Sequence, residues 1–274
     1  MIQPESTRTL RLPRILCLHG GGSNARIFRA QCRVISAHLK GHFRLVFAEG
    51  RLPAQPGPDV LSVYREWGPF QAWFPGSLSH HQPQTADQDA TDALDKIEEA
   101  LLDPMDVDER LGATGPWVGL LGFSQGAKAC ASVLLRQQQT LQAAGRALFS
   151  FSFGIPVAGR GPLVCDPAVS RGNGAWCFDD DAYVDGAKYV FQPKLQIPTA
   201  HVHGSQDPGL EFHRRMLEDC ATPVKPPSWN GKGAIECPFA PRTLVAWPWL
   251  FINWQTTRAN MCIYQIEIVR SCSK

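Results

Sequence analysis

The sequence around Ser124 constrains the fold most, because it predicts a buried strand, a sharp turn and a helix in direct succession. Residues 117–121 are apolar and run into Gly122-Phe123-Ser124-Gln125-Gly126. After this turn the apolar residues recur at helical spacing, at Ala127, Cys130, Ala131 and Leu134. A serine at the apex of a strained turn needs neighbours without side chains two positions away, and glycine meets this need. Strand, turn and helix together favour a nucleophile elbow over a chance Gly-x-Ser-x-Gly in a loop.

Composition and charge exclude several classes of protein. The 274 residues are 44% hydrophobic and 19% charged, which suits one large α/β domain with a substantial core. The 27 basic and 25 acidic residues are interspersed and form no basic stripe, so we expect no nucleic-acid partner. Residues 1–14 lack the apolar core of a secretory signal, and the longest apolar stretch, 244–252, is too short to span a bilayer. We expect a cytoplasmic protein that does not bind membranes.

The nine cysteines indicate reduced thiols. They are scattered and odd in number, and no pair has C-x-x-C spacing. Cys17 falls in a predicted strand and Cys130 on the apolar face of a predicted helix, where a thiol behaves as a small hydrophobe. The acidic run 179–181 is better explained as a solvated turn than as a cation site, because three consecutive acids cannot all face one ion. We expect neither a metal nor a cofactor.

Buried strands alternate with helical patterns along most of the chain. Strands are predicted at 14–18, 43–48, 117–121, 147–154 and 197–202. Helices are predicted at 26–40, at 86–103 with a capping box at Thr85 and an end at Pro104, from 127 to about 144, and at 210–220. This alternation predicts an α/β fold with a mostly parallel sheet and helices on both faces. Chemistry in such sheets collects at the carboxyl ends of the strands.

A glycine-rich loop follows the first predicted strand. His19-Gly20-Gly21-Gly22 matches neither the phosphate loop nor the dinucleotide fingerprint, which disfavours a dehydrogenase. It does match the His-Gly-Gly-Gly loop that supplies a backbone N–H group to an oxyanion hole. We choose Gly21 as one oxyanion donor and the backbone of Gln125, the residue after the serine, as the other. His19 itself is interpreted as a structural residue that packs the loop.

Residues 51–84 carry six prolines and a loose set of aromatic side chains. A long loop of this composition has two open interpretations. It forms the lid or pocket wall for an apolar or aromatic substrate, or it is a satellite cluster that covers the sheet edge. The first interpretation makes four of the aromatic residues substrate-binding: Trp67, Phe70, Trp73 and Phe74.

A serine hydrolase needs a base for the hydroxyl proton and an acid to orient that base. Ser124 and Asp207 have the chain order of such a site, and Asp207 follows a predicted strand. The histidine is not evident, because the chain has none beyond His213. His213 and His203 lie too close to the acid along the chain. The two histidines of the predicted lid could approach only if it closes: His80 and His81.

Three motifs together resemble a known family. They are Ile15-Leu16-Cys17-Leu18-His19-Gly20-Gly21-Gly22-Ser23-Asn24-Ala25, Gly122-Phe123-Ser124-Gln125-Gly126-Ala127 and His203-Gly204-Ser205-Gln206-Asp207-Pro208. In order and spacing they are similar to the fungal serine hydrolases of the α/β-hydrolase superfamily. The branch they resemble is that of polyketide-cluster esterases and thioesterases, typified by the lovastatin- and citrinin-pathway hydrolases. The resemblance covers roughly residues 12–222 and implies a Ser–Asp–His hydrolase. Its implied substrate is an acyl ester or a thioester on a polyketide synthase carrier domain.

The resemblance ends near residue 222. The family delivers its histidine from a Gly-x-His-like loop, but here Gly233 stands near the expected place of the histidine in Trp229-Asn230-Gly231-Lys232-Gly233. We therefore divide the chain into an α/β-hydrolase domain, 1–222, and a divergent tail, 223–274, without clear order of helices or strands. A retained intron or shifted reading frame explains such a tail, and so does genuine loss of the base. Loss of the base would leave a protein that binds an acyl ligand without turnover.

Overall fold

A computed structural model describes residues 9–75, 86–161, 163–165, 194–220 and 264–269. Six strands form the main sheet: β1 Arg14–Leu18, β2 Arg44–Ala48, β5 Trp117–Phe123, β6 Phe153–Val157, β7 Thr199–Gly204 and β8 Tyr264–Val269. Two short strands form a separate antiparallel pair: β3 Leu52–Pro53 and β4 Gln71–Ala72. The helices are α1 Ala25–Gln31, α2 Arg33–Leu39, α3 Pro58–Tyr64, α4 Ala86–Arg110, α5 Gln125–Ala144 and α6 Leu210–Cys220, with a 3-10 turn at Arg65–Trp67.

The main sheet is mostly parallel and is covered on both faces. Its order is β2-β1-β5-β6-β7-β8, with every neighbouring pair parallel except β7 and β8. Within β1, Leu16 and Leu18 pack into one core cluster with α4 and α5, while Ile15 and Cys17 pack into a second with α1 and α2. A strand buried on both faces reads as a continuous apolar run, which explains why β1 was evident in the sequence. The predicted fold class is confirmed.

Several predicted boundaries are wrong. The helix predicted at 26–40 is two helices, α1 and α2, because the backbone leaves the helical region at Cys32, with φ −78° and ψ 5°. The strand predicted at 147–154 begins at Phe153, although Phe149 and Phe151 are buried. These buried residues alternate as in a strand. However, the N–H and C=O groups of Phe151 are hydrogen-bonded to the side chain of Gln137 and not to a neighbouring strand. The strand predicted at 197–202 is shifted to Thr199–Gly204.

Pro104 does not end α4, which continues to Arg110. The prediction rested on the missing N–H group of proline and on its clash with the preceding turn. Tertiary contacts override this local penalty, since Asp108 in the continued part is 97% buried and paired with two arginines. Its carboxylate accepts from Arg44 Nε at 2.8 Å and from Arg14 Nη1 at 3.3 Å. This buried ion cluster joins the end of α4 to the first residues of β1 and β2.

Four cysteines in the described part of the chain are free and buried: Cys17, Cys32, Cys130 and Cys165. Burial raises the pKa of Cys130 to about 12, and it raises the pKa of Cys17 and of Cys32 as well. A thiol with a raised pKa holds little of the reactive thiolate near neutral pH, so these thiols act as small apolar side chains. This role was predicted for Cys17 and Cys130 and is confirmed.

Part of the predicted tail forms a strand. Residues 264–269 pair antiparallel with β7, with Tyr264 opposite Gly204 and Val269 opposite Thr199. The alternation of apolar and polar residues in Tyr-Gln-Ile-Glu-Ile was the available signal for this strand. The division at residue 222 stays a prediction. The capping box at Thr85, the lid histidines, the acidic run 179–181 and the segment 229–233 all lie outside the described residues.

No helix in the described ranges has the length and hydrophobicity needed to cross a bilayer.

Candidate active site

Ser124 occupies a strained turn between β5 and α5. Its backbone lies in the left-handed region, with φ 52° and ψ −116°, which side-chain-bearing residues rarely adopt. The turn is held by the Ser124 N–H group, which donates to Val157 O at 2.9 Å. A Cβ on Gly122 would stand 2.7 Å from Ala127 N, and a Cβ on Gly126 would stand 2.8 Å from the carbonyl carbon of Leu18. Both glycines are therefore required by close backbone approach, as a nucleophile elbow demands.

The two residues predicted to supply the oxyanion donors are in contact through the side chain of Gln125. A Cβ on Gly21 would be 3.2 Å from Cδ of Gln125, so the glycine loop touches the residue after the serine. No described residue accepts a hydrogen bond from the N–H group of Gly21 or of Gln125. The Gln125 amide is the first of α5, and the first amides of a helix lack partners within it. This arrangement can stabilise a negative oxygen that develops beside Ser124.

His19 is a structural residue, as predicted. It is fully buried, and its Nδ1 lies 2.8 Å from Gly20 O. Its Nε2 accepts a hydrogen bond from the Gly50 N–H group at 2.9 Å, so the proton is assigned to Nδ1. The Glu49 carboxylate lies 3.1 Å from Nε2 and also accepts from the Ala25 N–H group. With both ring nitrogens engaged in holding the loop, His19 has no free position to act as the base.

The aromatic residues of 51–84 divide into two environments. Trp67 and Phe70 are half-buried, and the guanidinium of Arg26 lies over the Trp67 ring at 4.2 Å. Trp73 and Phe74 are only 2% and 4% exposed and belong to the core cluster of α4 and α5. Trp73 and Phe74 are therefore part of the main core, and the choice between a pocket wall and a satellite cluster stays open. A substrate-binding role of the four residues stays a prediction.

Asp207 follows β7 at the same sheet edge as Ser124. Its Oδ1 accepts a hydrogen bond from the Gly209 N–H group at 2.7 Å, which orients the carboxylate at the start of α6. Among the described residues, no histidine forms a hydrogen bond or ion pair with Asp207. The Oγ atom of Ser124 likewise has no described partner. The structure thus places the nucleophile and acid at the predicted edge without a described base between them.

His213 and His203 are buried neighbours of the acid. Their rings stack at 6.0 Å, and three of their four nitrogens have no hydrogen-bond partner among the described residues. Burial, with smaller contributions from His213 and Arg214, lowers the pKa of His203 to about 4 against the opposing effect of the Asp207 carboxylate. Burial also lowers the pKa of His213, although the Asp207 carboxylate raises it. No group of three or more candidate ligands in the described part of the chain could hold a metal ion.

Two polar side chains at the site were missed. Asn24 caps α1, because its Oδ1 accepts from the Ile27 N–H group, and its Nδ2 donates to Trp67 O and Pro69 O. An asparagine directly before a helix was a usable signal for the cap. The side chain of Gln125 bonds to the backbone of Trp73 and Phe74, which are 52 and 51 residues away. Contacts of that separation leave no local pattern.

The sheet order, the strained serine turn and the acid after β7 define an α/β-hydrolase with a serine nucleophile. A family model for serine hydrolases, described as Serine hydrolase (FSH1), matches residues 9–231. The chain belongs to this family and is a serine hydrolase. The family resemblance seen in its motifs is thereby confirmed.

Curated relatives are similar over most of their length. A probable esterase of Aspergillus terreus is 48% identical over 234 residues, which are 81% of this chain and 82% of the relative. Esterase pigG of Monascus ruber is 50% identical over 223 residues, 76% of this chain and 79% of that one. Esterase citA of Monascus ruber is 44% identical over 246 residues, 87% of this chain and 91% of that one.

Solved structures are more distant. Thermus thermophilus TT1662 is 16% identical with a TM-score of 0.41, covering 77% of this chain and 74% of that one. A carboxylesterase of Mesorhizobium loti is 17% identical with a TM-score of 0.31, covering 58% of each chain. The fold assignment rests on the strand order and the elbow of the present structure.

Proposed function

We propose that this protein is an esterase or thioesterase that hydrolyses an acyl ester or a carrier-bound polyketide thioester in fungal secondary metabolism. The observation that supports it most is the strained Ser124 turn, together with the contact between the Gln125 side chain and Gly21. The esterase names of relatives at 44–50% identity support the same reaction class. The partner would be a small acyl ester or an acyl carrier domain, with no nucleic acid and no membrane involved. The free, buried thiols support a cytoplasmic location.

In the proposed reaction Ser124 Oγ attacks the carbonyl carbon and forms a tetrahedral intermediate. The N–H groups of Gln125 and Gly21 donate to its oxyanion. Asp207 orients the triad histidine, which is not identified in the chain as written. This histidine takes the serine proton and later protonates the leaving alcohol or thiol. Collapse of the intermediate breaks the bond between the carbonyl carbon and the leaving group and leaves the acyl group on Ser124. Water, deprotonated by the same histidine, then attacks the acyl carbonyl, and the second intermediate collapses to release the acid as Ser124 regains its proton. The proposed pocket wall for the acyl chain is the aromatic set: Trp67, Phe70, Trp73 and Phe74.

The alternative is a catalytically impaired homologue that binds an acyl ligand. The observation that favours it is the absence of a bond between Asp207 and any described histidine. Loss of one member of a triad leaves little of the rate, with reductions on the order of 10⁴-fold. Sequencing the transcript across codons 222–274 distinguishes the two: a restored histidine after a glycine near 231 supports the enzyme, and the tail as written supports the binding protein.

A direct test is labelling with a fluorophosphonate, carried out on this chain and on a version with the transcript-defined C-terminus. We expect labelling of wild type and of Ser62→Ala, an exposed-serine control, and none of Ser124→Ala. Hydrolysis of matched p-nitrophenyl esters and N-acetylcysteamine thioesters then decides between ester and thioester. If neither version shows Ser124-dependent labelling, the proposed function is wrong.

A further inference from the structure

Residues 71–74 lie between the glycine loop and the nucleophile elbow and are bonded to both. On the glycine-loop side, the Gly22 N–H group donates to Gln71 O at 3.0 Å. The Gln71 N–H group donates in turn to Ser23 O at 2.7 Å. Trp73 adds a third bond on this side, because its indole Nε1 donates to His19 O at 2.7 Å. Segment 71–74 therefore holds the loop that contains Gly21 along its length.

On the elbow side, the side chain of Gln125 makes the connection. Its Oε1 accepts from the Trp73 N–H group at 2.8 Å and from the Phe74 N–H group at 3.5 Å. Its Nε2 donates to Phe74 O at 3.3 Å. The orientation of the amide is determined by its partners, since a backbone N–H group can only donate and a carbonyl can only accept. The same side chain touches Gly21, whose Cβ would be 3.2 Å from Gln125 Oε1.

We propose that the Gln125 side chain is a positioning residue, which sets the distance between the two oxyanion donors by joining the elbow to segment 71–74. The backbone N–H group of Gln125 belongs to the elbow, whereas that of Gly21 belongs to the glycine loop. These two parts of the chain are far apart in sequence, and segment 71–74 is hydrogen-bonded to both. The residue that donates to the oxyanion through its backbone thus positions the other donor through its side chain. The inference rests on the proposed ester hydrolysis at Ser124.

The test is Gln125→Met, which keeps the backbone N–H group and a side chain of similar length but removes the three bonds to segment 71–74. We expect kcat for p-nitrophenyl acetate to fall on the order of 10²-fold, as for a donor misplaced by about 1 Å. We expect KM to change by less than about threefold, because the oxyanion forms only in the transition state. Affinity for an alkyl boronic acid, which forms a tetrahedral adduct on the serine, should fall with kcat.

The matched control is Gln137→Met on the same helix. Gln137 also bonds to the backbone of one distant residue, accepting from the Phe151 N–H group and donating to Phe151 O, both at 2.9 Å. It lies outside the site, so this variant should lose stability with kcat within about threefold of wild type. A second variant, Trp73→Phe, breaks the bond to His19 O and tests the other side of the connection. If segment 71–74 acts as a unit, kcat of the double variant Gln125→Met/Trp73→Phe should be only slightly lower than kcat of the more impaired single variant.

The outcomes separate this inference from the proposed function. Absence of Ser124-dependent turnover both in this chain and in the version with the transcript-defined C-terminus would overturn both. An active wild type whose Gln125→Met variant keeps kcat within about threefold would overturn the positioning role alone. The positioning role would also be overturned if Gln137→Met lost as much kcat as Gln125→Met. The same holds if the effects of Gln125→Met and Trp73→Phe on kcat were fully additive in the double variant. If Gln125→Met does not fold, Trp73→Phe decides by itself, and a kcat within about threefold of wild type in that variant would overturn the positioning role.

Discussion

Replacing Gly126 by alanine should lower catalytic activity strongly and the free energy of unfolding moderately. The new Cβ would lie 2.8 Å from the carbonyl carbon of Leu18, and closer still to the carbonyl oxygens of Leu18 and His19, whereas ordinary contact begins at 3.4 Å. All of these atoms are backbone, so no flexible side chain can yield. The start of α5 and the end of β1 must therefore separate by about 1 Å in a closely packed region.

The expected magnitude follows from that separation. Overpacking of this kind costs about 1–3 kcal/mol of the free energy of unfolding. A displacement of about 1 Å between the serine and the oxyanion loop should lower kcat/KM on the order of 10²-fold. Urea unfolding gives the first quantity, and hydrolysis of p-nitrophenyl acetate gives the second.

The control for this prediction is Gly41→Ala. An added Cβ at Gly41 meets no atom within 4 Å, so its unfolding free energy should change by less than about 0.5 kcal/mol. Its kcat/KM should equal that of wild type. If Gly126→Ala behaved like Gly41→Ala in both assays, the close approach of β1 to the elbow would not be a constraint, and the reasoning from backbone packing would be refuted.

Two further predictions concern stability. Since burial lowers the pKa of His203 to about 4 from an ordinary 6.5, the unfolded chain binds more protons between these values, and stability falls as the pH drops through this window. Urea unfolding at pH 7 and pH 5 should show an average slope of about 0.9 kcal/mol per pH unit from this histidine, below the limiting value of about 1.4 because the unfolded histidine is mostly neutral at pH 7. His203→Gln should reduce the slope and the exposed-site control His38→Gln should not; equal slopes in all three would contradict the assignment. Asp108→Asn should lose about 3–5 kcal/mol because it removes the buried carboxylate that pairs with both Arg14 and Arg44. Asp103→Asn, in an exposed ion pair, should lose less than about 1 kcal/mol, and similar losses for the two would count against the buried cluster.

The Ser124 turn could be predicted from the sequence because its geometry depends on residues next to it in the chain. Gly122 and Gly126 stand two residues before and after Ser124, which indicates a turn where backbone segments are in close contact. The structure shows this contact. Ser124 and Asp207 each follow a strand of the parallel sheet, which predicts one sheet edge for both, since parallel strands end on the same side. Cys17 and Cys130 could be assigned to the core from periodicity alone.

Contacts between distant parts of the chain decided the rest. Pro104 stays within α4 although local propensity opposes it, because Asp108 pairs with arginines more than 60 residues away. Phe151 has the pattern of a strand residue but bonds to Gln137 instead of a neighbouring strand. The sequence by itself determined the Ser124 elbow and the sheet edge, whose signals are a few residues long. Only the tertiary structure could show what Gln125 binds, because a hydrogen bond to Trp73 depends on how separate segments pack and leaves no trace in either segment.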